Sequence, residues 1–124
     1  FHEDPGMYNS KIVINSGEGY IFPSMDQIVW LEADTNYTNI HMADGKKITT
    51  AKTLGSFEDN LPRTKFYRIS RSAIVNMFQI QSFSRKEDHC LILNNGLSLY
   101  VSDRKREELV KLFMKGRFNR DFLL

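Results

Sequence analysis

Residues 66–76 read Phe-Tyr-Arg-Ile-Ser-Arg-Ser-Ala-Ile-Val-Asn, the densest chemistry in the chain. Arg68 and Arg71 stand among two short hydroxyl side chains, Ser70 and Ser72, and the apolar run Ala73-Ile74-Val75 follows at once. Such a run fixes a strand to a core. A fixed backbone carrying small hydrogen-bonding groups and a guanidinium fork suits a surface that grips phosphate and reads a base edge. A strand with solvated arginines explains the segment equally well on its own. Two further polar clusters interrupt the apolar pattern: Asp34-Thr35-Asn36-Tyr37-Thr38-Asn39 and Ser102-Asp103-Arg104-Lys105-Arg106. Asn pairs with adenine at two points, Arg with guanine, and Ser or Thr hydroxyls reach phosphate oxygens. A turn or a helix cap accounts for any one cluster. Three of them in a β-rich, basic chain favour nucleic-acid binding through loops.

Other chemistry fails on geometry. His89 and Cys90 are neighbours, and adjacent strand residues point to opposite faces, so they form no thiolate–imidazole pair. His2, His41 and His89 share no metal-ligand spacing. Glu32 and Asp34 share a strand face, as an acid–base pair could, but no nucleophile or phosphate loop accompanies them. No glycine-rich nucleotide loop, Walker lysine or nucleophile elbow is present. The sequence therefore predicts no enzyme and no cofactor.

The 124 residues suffice for one domain with a true core and not for two. Apolar residues make up 41% and charged residues 26%, ordinary values for a globular protein. No apolar run is long enough to span a bilayer. A single cysteine excludes an internal disulfide and fits a reducing cytoplasm. The first residue is Phe, so a fragment of something longer is expected. The net charge of +2 hides an asymmetry: residues 1–60 hold four Lys/Arg against nine Asp/Glu, and residues 61–124 hold thirteen against six. The expectation is one basic face for a polyanion and an acidic face turned away.

These groups need a scaffold. Residues 1–10 carry a Pro-Gly turn signal without periodicity and read as a linker remnant. From Lys11 short β-type runs dominate: Lys11 to Asn15, Tyr20 to Phe22, Gln27 to Ala33 with burial on both faces, and Asn36 to Met42. Asp44-Gly45 returns the chain through Lys47 to Ala51. A short helix is predicted from Lys52 to Leu61, stopped by Pro62. Strands follow over Phe66 to Ile69, Ala73 to Phe83 in one or two pieces, His89 to Leu93 and Leu97 to Val101. Ser102 or Asp103 caps a last helix through Lys115, with Gly116 as its stop. Trp30, Leu31, Ile40, Phe57, Ile74 and Val75 are the predicted core. Residues 11–116 form the domain, and Arg117 to Leu124 a tail ending in three apolar residues.

The run Ile28-Val29-Trp30-Leu31-Glu32-Ala33, then Asn36-Tyr37-Thr38, a short helix ending at Leu61, the Phe66–Asn76 segment and Ile80 resemble the LytTR family of bacterial DNA-binding domains. The match continues through Leu97 to Arg104 and covers roughly Lys11 to Lys115. The resemblance implies a mainly β fold of elongated antiparallel sheets with a short central helix and a C-terminal one. It implies the output domain of a two-component response regulator behind an N-terminal receiver domain. Its loops would enter successive major grooves at paired promoter repeats, so a second copy would bind beside the first. Carried over by position, Thr38 with Asn36 and Tyr37 stands in the first contacting loop, Arg71 in the second and Arg104 in the third. Ser70 departs from a common histidine. Asp103 departs from a common basic residue, and is expected to cap the last helix instead.

The candidate DNA contacts are therefore Asn36, Tyr37, Thr38 and Asn39; Arg68, Ser70, Arg71 and Ser72; and Ser102, Arg104 and Lys105. The expected function is sequence-specific binding of double-stranded DNA and transcription regulation in the cytoplasm. The alternative is a protein-interaction module whose basic half meets an acidic partner. A steep salt dependence with one preferred DNA sequence separates the two.

Overall fold

The computed structural model describes residues 11–84 and 90–117. A small hairpin of β1 (Ile14–Asn15) and β2 (Tyr20–Ile21) leads through a 3-10 turn at Met25–Gln27 into the main sheet. That sheet is built from β3 (Ile28–Asp34), β4 (Tyr37–Met42), β5 (Lys47–Thr50), β6 (Phe66–Ser70) and β7 (Ala73–Asn76), with α1 (Leu54–Asn60) between β5 and β6. Its order is β5-β4-β3-β7-β6, with every neighbouring pair antiparallel. A second sheet holds β8 (Ile80–Ser84), β9 (Cys90–Leu93) and β10 (Ser98–Tyr100) in the order β10-β9-β8. The last helix, α2, runs over Asp103–Leu112.

The main sheet is buried on both faces. On one face Ile28, Leu31, Ile40 and Ile74 pack with Ile14, Met25, the α1 residues Leu54 and Phe57, and Leu61 just past that helix. On the other, Val29, Trp30 and Val75 pack with Leu91 and Leu93 of the second sheet, Val101 just after it, and Leu109 of α2. A β-bulge between Ile28 and Trp30 lets Val29 and Trp30 join the same core, so four consecutive residues of β3 are buried. Burying each such side chain stabilises the fold by about 1.5–3 kcal/mol. All six predicted core residues are buried.

Turn chemistry sets the hairpins. Gly45 and Gly96 take φ values of 89° and 87°, which a side chain would oppose, and so close the β4–β5 and β9–β10 connections. Helix α1 starts at Leu54, later than the predicted Lys52, because Thr53 is its N-cap and accepts from the Ser56 N–H at 3.3 Å. Residues 73–83 divide into two strands in different sheets, broken by a 3-10 turn at Met77–Gln79. The end of the chain departs from expectation. Gly116 does not stop α2; it lies inside a π turn over Phe113–Arg117 that widens the helix and carries it past that glycine. Residues 1–10, His89 and 118–124 lie outside the described residues, as do the linker and nearly all of the predicted tail.

Candidate nucleic-acid interface

The β3–β4 and β6–β7 turns lie at the same end of the main sheet, because β3 is antiparallel to both β4 and β7. The first is a two-residue turn, Thr35-Asn36, between the paired Asp34 and Tyr37. Thr35 has a φ of 53°, left-handed backbone that a β-branched residue adopts under strain on the order of 1–2 kcal/mol. Asn36 and Tyr37 project outward. Thr38 and Asn39 turn inward and are buried. The Thr38 Oγ1 donates to the Lys52 carbonyl at 2.7 Å, and Asn39 Oδ1 accepts from Thr49 Oγ1 at 2.7 Å. Asn39 Nδ2 approaches Asp34 and Glu32 at 3.4 and 3.5 Å. Glu32 also lies 2.9 Å from Nε2 of His41, whose ring stacks on Trp30 at a centroid separation of 4.6 Å. The Glu32–Asp34 pair shares a face as predicted, and its oxygens brace the base of the hairpin.

In the second turn Ser70 pairs with Ala73, leaving Arg71 and Ser72 at the tip, and a bulge lies between Arg68 and Ser70. The Ser72 N–H donates to Ser70 Oγ at 3.2 Å, a local bond that narrows the tip. Both residues are exposed, as is Arg71. The Ala33 N–H donates to the Ser72 carbonyl at 2.9 Å, so the two turns are tied by backbone. Arg68 behaves differently from the solvated or DNA-facing group the sequence predicts: its guanidinium bonds the Ser70 and Arg71 carbonyls and Glu58.

The third cluster opens α2. Ser102 is the N-cap and accepts from the Lys105 N–H at 3.3 Å. Asp103 is not the cap; it sits in the first turn, where a carboxylate favours the helix dipole, 3.5 Å from Arg106. Leu109 anchors the helix in the core, and the Tyr67 hydroxyl donates to Glu108. Burial first, and then the bond to Glu108, raise the Tyr67 hydroxyl well above its ordinary pKa; the same bond is the main cause lowering that of Glu108. Lys105 lies 5.4 Å from the Tyr67 ring centroid and shares a cleft with Glu58, Arg68, Ser70 and Arg71. The second and third clusters therefore meet. A neighbouring cleft joins Glu32 and Ala33 of β3 to Ser70, Ser72 and Tyr100.

The profile of the LytTr DNA-binding domain family matches residues 18–114. The chain belongs to this family. Among curated proteins it is similar to the CO-responsive transcriptional regulator RcoM of Rhodospirillum rubrum, at 29% identity over 72% of this chain and 37% of that protein. It is also similar to the sensory transduction protein LytT of Bacillus subtilis, at 27% identity over 82% of this chain and 43% of that protein. The chain thus spans well under half the length of these relatives. A solved LytTr DNA-binding domain from Bacillus cereus superposes with a TM-score of 0.69 at 26% identity, covering 84% of this chain and 96% of that one.

Within this LytTR fold the predicted residues divide. Asn36, Tyr37, Ser70, Arg71 and Ser72 are exposed at the loop-bearing end, the half-buried Lys105 lines a cleft with Ser70 and Arg71, and the half-buried Ser102 and exposed Arg104 stand beside it at the start of α2. Thr38 and Asn39 are buried with their polar atoms engaged, and Arg68 is folded onto the second turn. Side chains so committed support the tips from beneath. Tyr100, 65% exposed beside Ser70 and Ser72, went unremarked in the sequence; its place between the inward Leu99 and Val101 was the available signal. The charge asymmetry is not a clean spatial division, since Asp34 of the acidic half stands next to the Arg71 turn. Among the described residues no group of three His, Cys, Asp or Glu is placed to hold a metal ion, and no helix is long and apolar enough to cross a membrane.

Proposed function

We propose that this LytTR domain binds double-stranded DNA sequence-specifically and regulates transcription, with the loop-bearing end of the main sheet as its reading face. The observation that carries this reading is the convergence of three polar loops on one end, with the guanidinium groups of the exposed Arg71 and Arg104 making no hydrogen bond or ion pair among the described residues. A planar fork left unpaired on a rigid hairpin or helix start can take two acceptors of a guanine edge. Tyr37 and Asn36 on the first turn, with Lys105 and Ser102 at the third loop, would flank these forks and meet phosphate. The tips would enter successive major grooves.

The relatives are named as a transcriptional regulator and a sensory transduction protein and are far longer than this chain, which supports an output domain joined to an N-terminal receiver domain in a cytoplasmic two-component regulator. One domain offers few base-reading side chains, so two copies would act on paired repeats. The free domain would be a monomer or a weak dimer that binds the paired site cooperatively.

Selection of bound sequences from a random DNA pool, followed by titration at rising salt, tests the proposal. It expects one enriched motif and an affinity that falls by orders of magnitude from low to moderate salt. No enriched motif, or binding indifferent to salt, would point to a protein partner instead.

A further inference from the structure

We infer that Arg68 is a positioning residue that sets the pose of Arg71, with Glu58 on α1 as its anchor. The inference rests on the reading of Arg71 as a DNA contact and gives it a mechanism. All three guanidinium nitrogens of Arg68 are used. Nε donates to the Ser70 carbonyl at 3.0 Å, Nη2 to the Arg71 carbonyl at 2.9 Å, and Nη1 to Glu58 Oε1 at 2.9 Å.

The acceptors explain why an arginine stands there. The bulge between Arg68 and Ser70 disturbs the ladder at the point where the hairpin turns, so carbonyls at the tip need other donors. Arg68 supplies two from a single rigid plane. Glu58 fixes the other edge of that plane, and Glu58 itself sits on a helix held in the core by Leu54 and Phe57. The peptide group carrying Arg71 is thereby referenced to the core through α1 rather than left to a free two-residue turn. Ser70 Oγ, bonded to the Ser72 N–H, fixes the other side of the tip. Preorganisation of this kind holds Arg71 near its bound geometry before DNA arrives, so little ordering cost remains at binding. Lysine keeps the charge of Arg68 but offers one point of donation instead of a fork.

The test compares Arg68→Lys, Arg68→Ala, Glu58→Gln and Arg71→Ala in the full chain, each measured on the selected DNA site and on random DNA over a range of salt. Arg68→Lys should weaken the selected site about tenfold or more, the scale of losing one two-point base contact, and leave random-DNA affinity and the salt slope unchanged. Glu58→Gln, which keeps an acceptor without the charge, should give a smaller loss of the same kind. Arg68→Lys added to Arg71→Ala should cost nothing further. If Arg68→Lys keeps the site preference while Arg71→Ala abolishes it, the positioning inference is wrong and the reading of Arg71 stands. If Arg71→Ala keeps the preference, that reading is wrong. Equal losses on both DNAs, with a shallower salt slope for Arg68→Ala, would make Arg68 a phosphate contact. Circular dichroism and thermal unfolding confirm that each variant is folded at the assay temperature.

Discussion

Asn76 closes the Phe66–Asn76 segment, and replacing it with alanine should unfold the domain far more readily while sparing its chemistry. The residue is 1% exposed. Its Nδ2 donates to the Ile28 carbonyl at 2.9 Å and reaches the Met25 carbonyl at 3.4 Å, while its Oδ1 accepts from the Phe78 N–H at 2.9 Å. One side chain thus ties the end of β7 to the start of β3 and caps the 3-10 turn at Met77–Gln79. Asn76→Ala removes two well-formed bonds, each worth about 1 kcal/mol net, and strands the Ile28 carbonyl, which belongs to a fully buried residue. Counting about 1 kcal/mol more for that stranded group gives a loss of roughly 3 kcal/mol. At about 3–5 °C per kcal/mol for a chain this long, the midpoint should fall by roughly 10–15 °C. Urea and thermal unfolding followed by circular dichroism measure this. Asn76→Asp should be no better, because its carboxylate faces the Ile28 and Met25 carbonyls. DNA affinity well below the midpoint should be unchanged in Asn76→Ala. A loss below about 1 kcal/mol would refute the reasoning, since the Ile28 carbonyl would then have found another partner.

Arg71→Ala and Arg104→Ala should each cost about 1–3 kcal/mol on the selected DNA site and less on random DNA, without lowering the unfolding midpoint; lysine at either position should not restore binding, and equal titrations on both DNAs would reassign the residue to phosphate. Thr35→Asn, which tolerates left-handed backbone, should raise stability by about 0.5–1 kcal/mol in urea unfolding, and a loss would show that the turn holds no strain. The Tyr67 hydroxyl, raised by burial and by Glu108, should ionise well above the ordinary tyrosine range. Because its folded pKa lies above the unfolded value near ~10, its contribution to stability is complete below that pH and fades as pH rises beyond it. Ultraviolet titration of phenolate in the native chain and in Tyr67→Phe reads this, and identical late-phase amplitudes in the two would contradict it.

Much of the fold was legible because its signals are local. Asp44-Gly45 and Asn94-Asn95-Gly96 mark hairpins through backbone that only small residues take easily. The apolar run in β3 announced burial on both faces. What escaped was set by neighbours. The bulge that aims both Val29 and Trp30 at one core depends on pairing with β4, which a single strand does not reveal. Thr38 and Asn39 look as polar as Asn36 and Tyr37, yet β5 and the Lys52 carbonyl draw them inward. An arginine on a strand reads the same whether it reaches solvent or folds back on its own turn, so the clamp formed by Arg68 was invisible without Glu58 beside it. The candidate site was visible as three clusters. Their meeting at one end is a property of the strand order.

On the reading proposed above, these three clusters form a single DNA-binding face. Amide chemical shifts of the labelled domain, followed by NMR during titration with the selected duplex, test it most directly. The largest changes should fall together on residues 35–37, 70–72 and 102–105, saturating at one shared concentration of DNA, with the β1–β2 hairpin unaffected. Changes centred on that hairpin or on the outer face of α1, with the three loops unmoved, would contradict it.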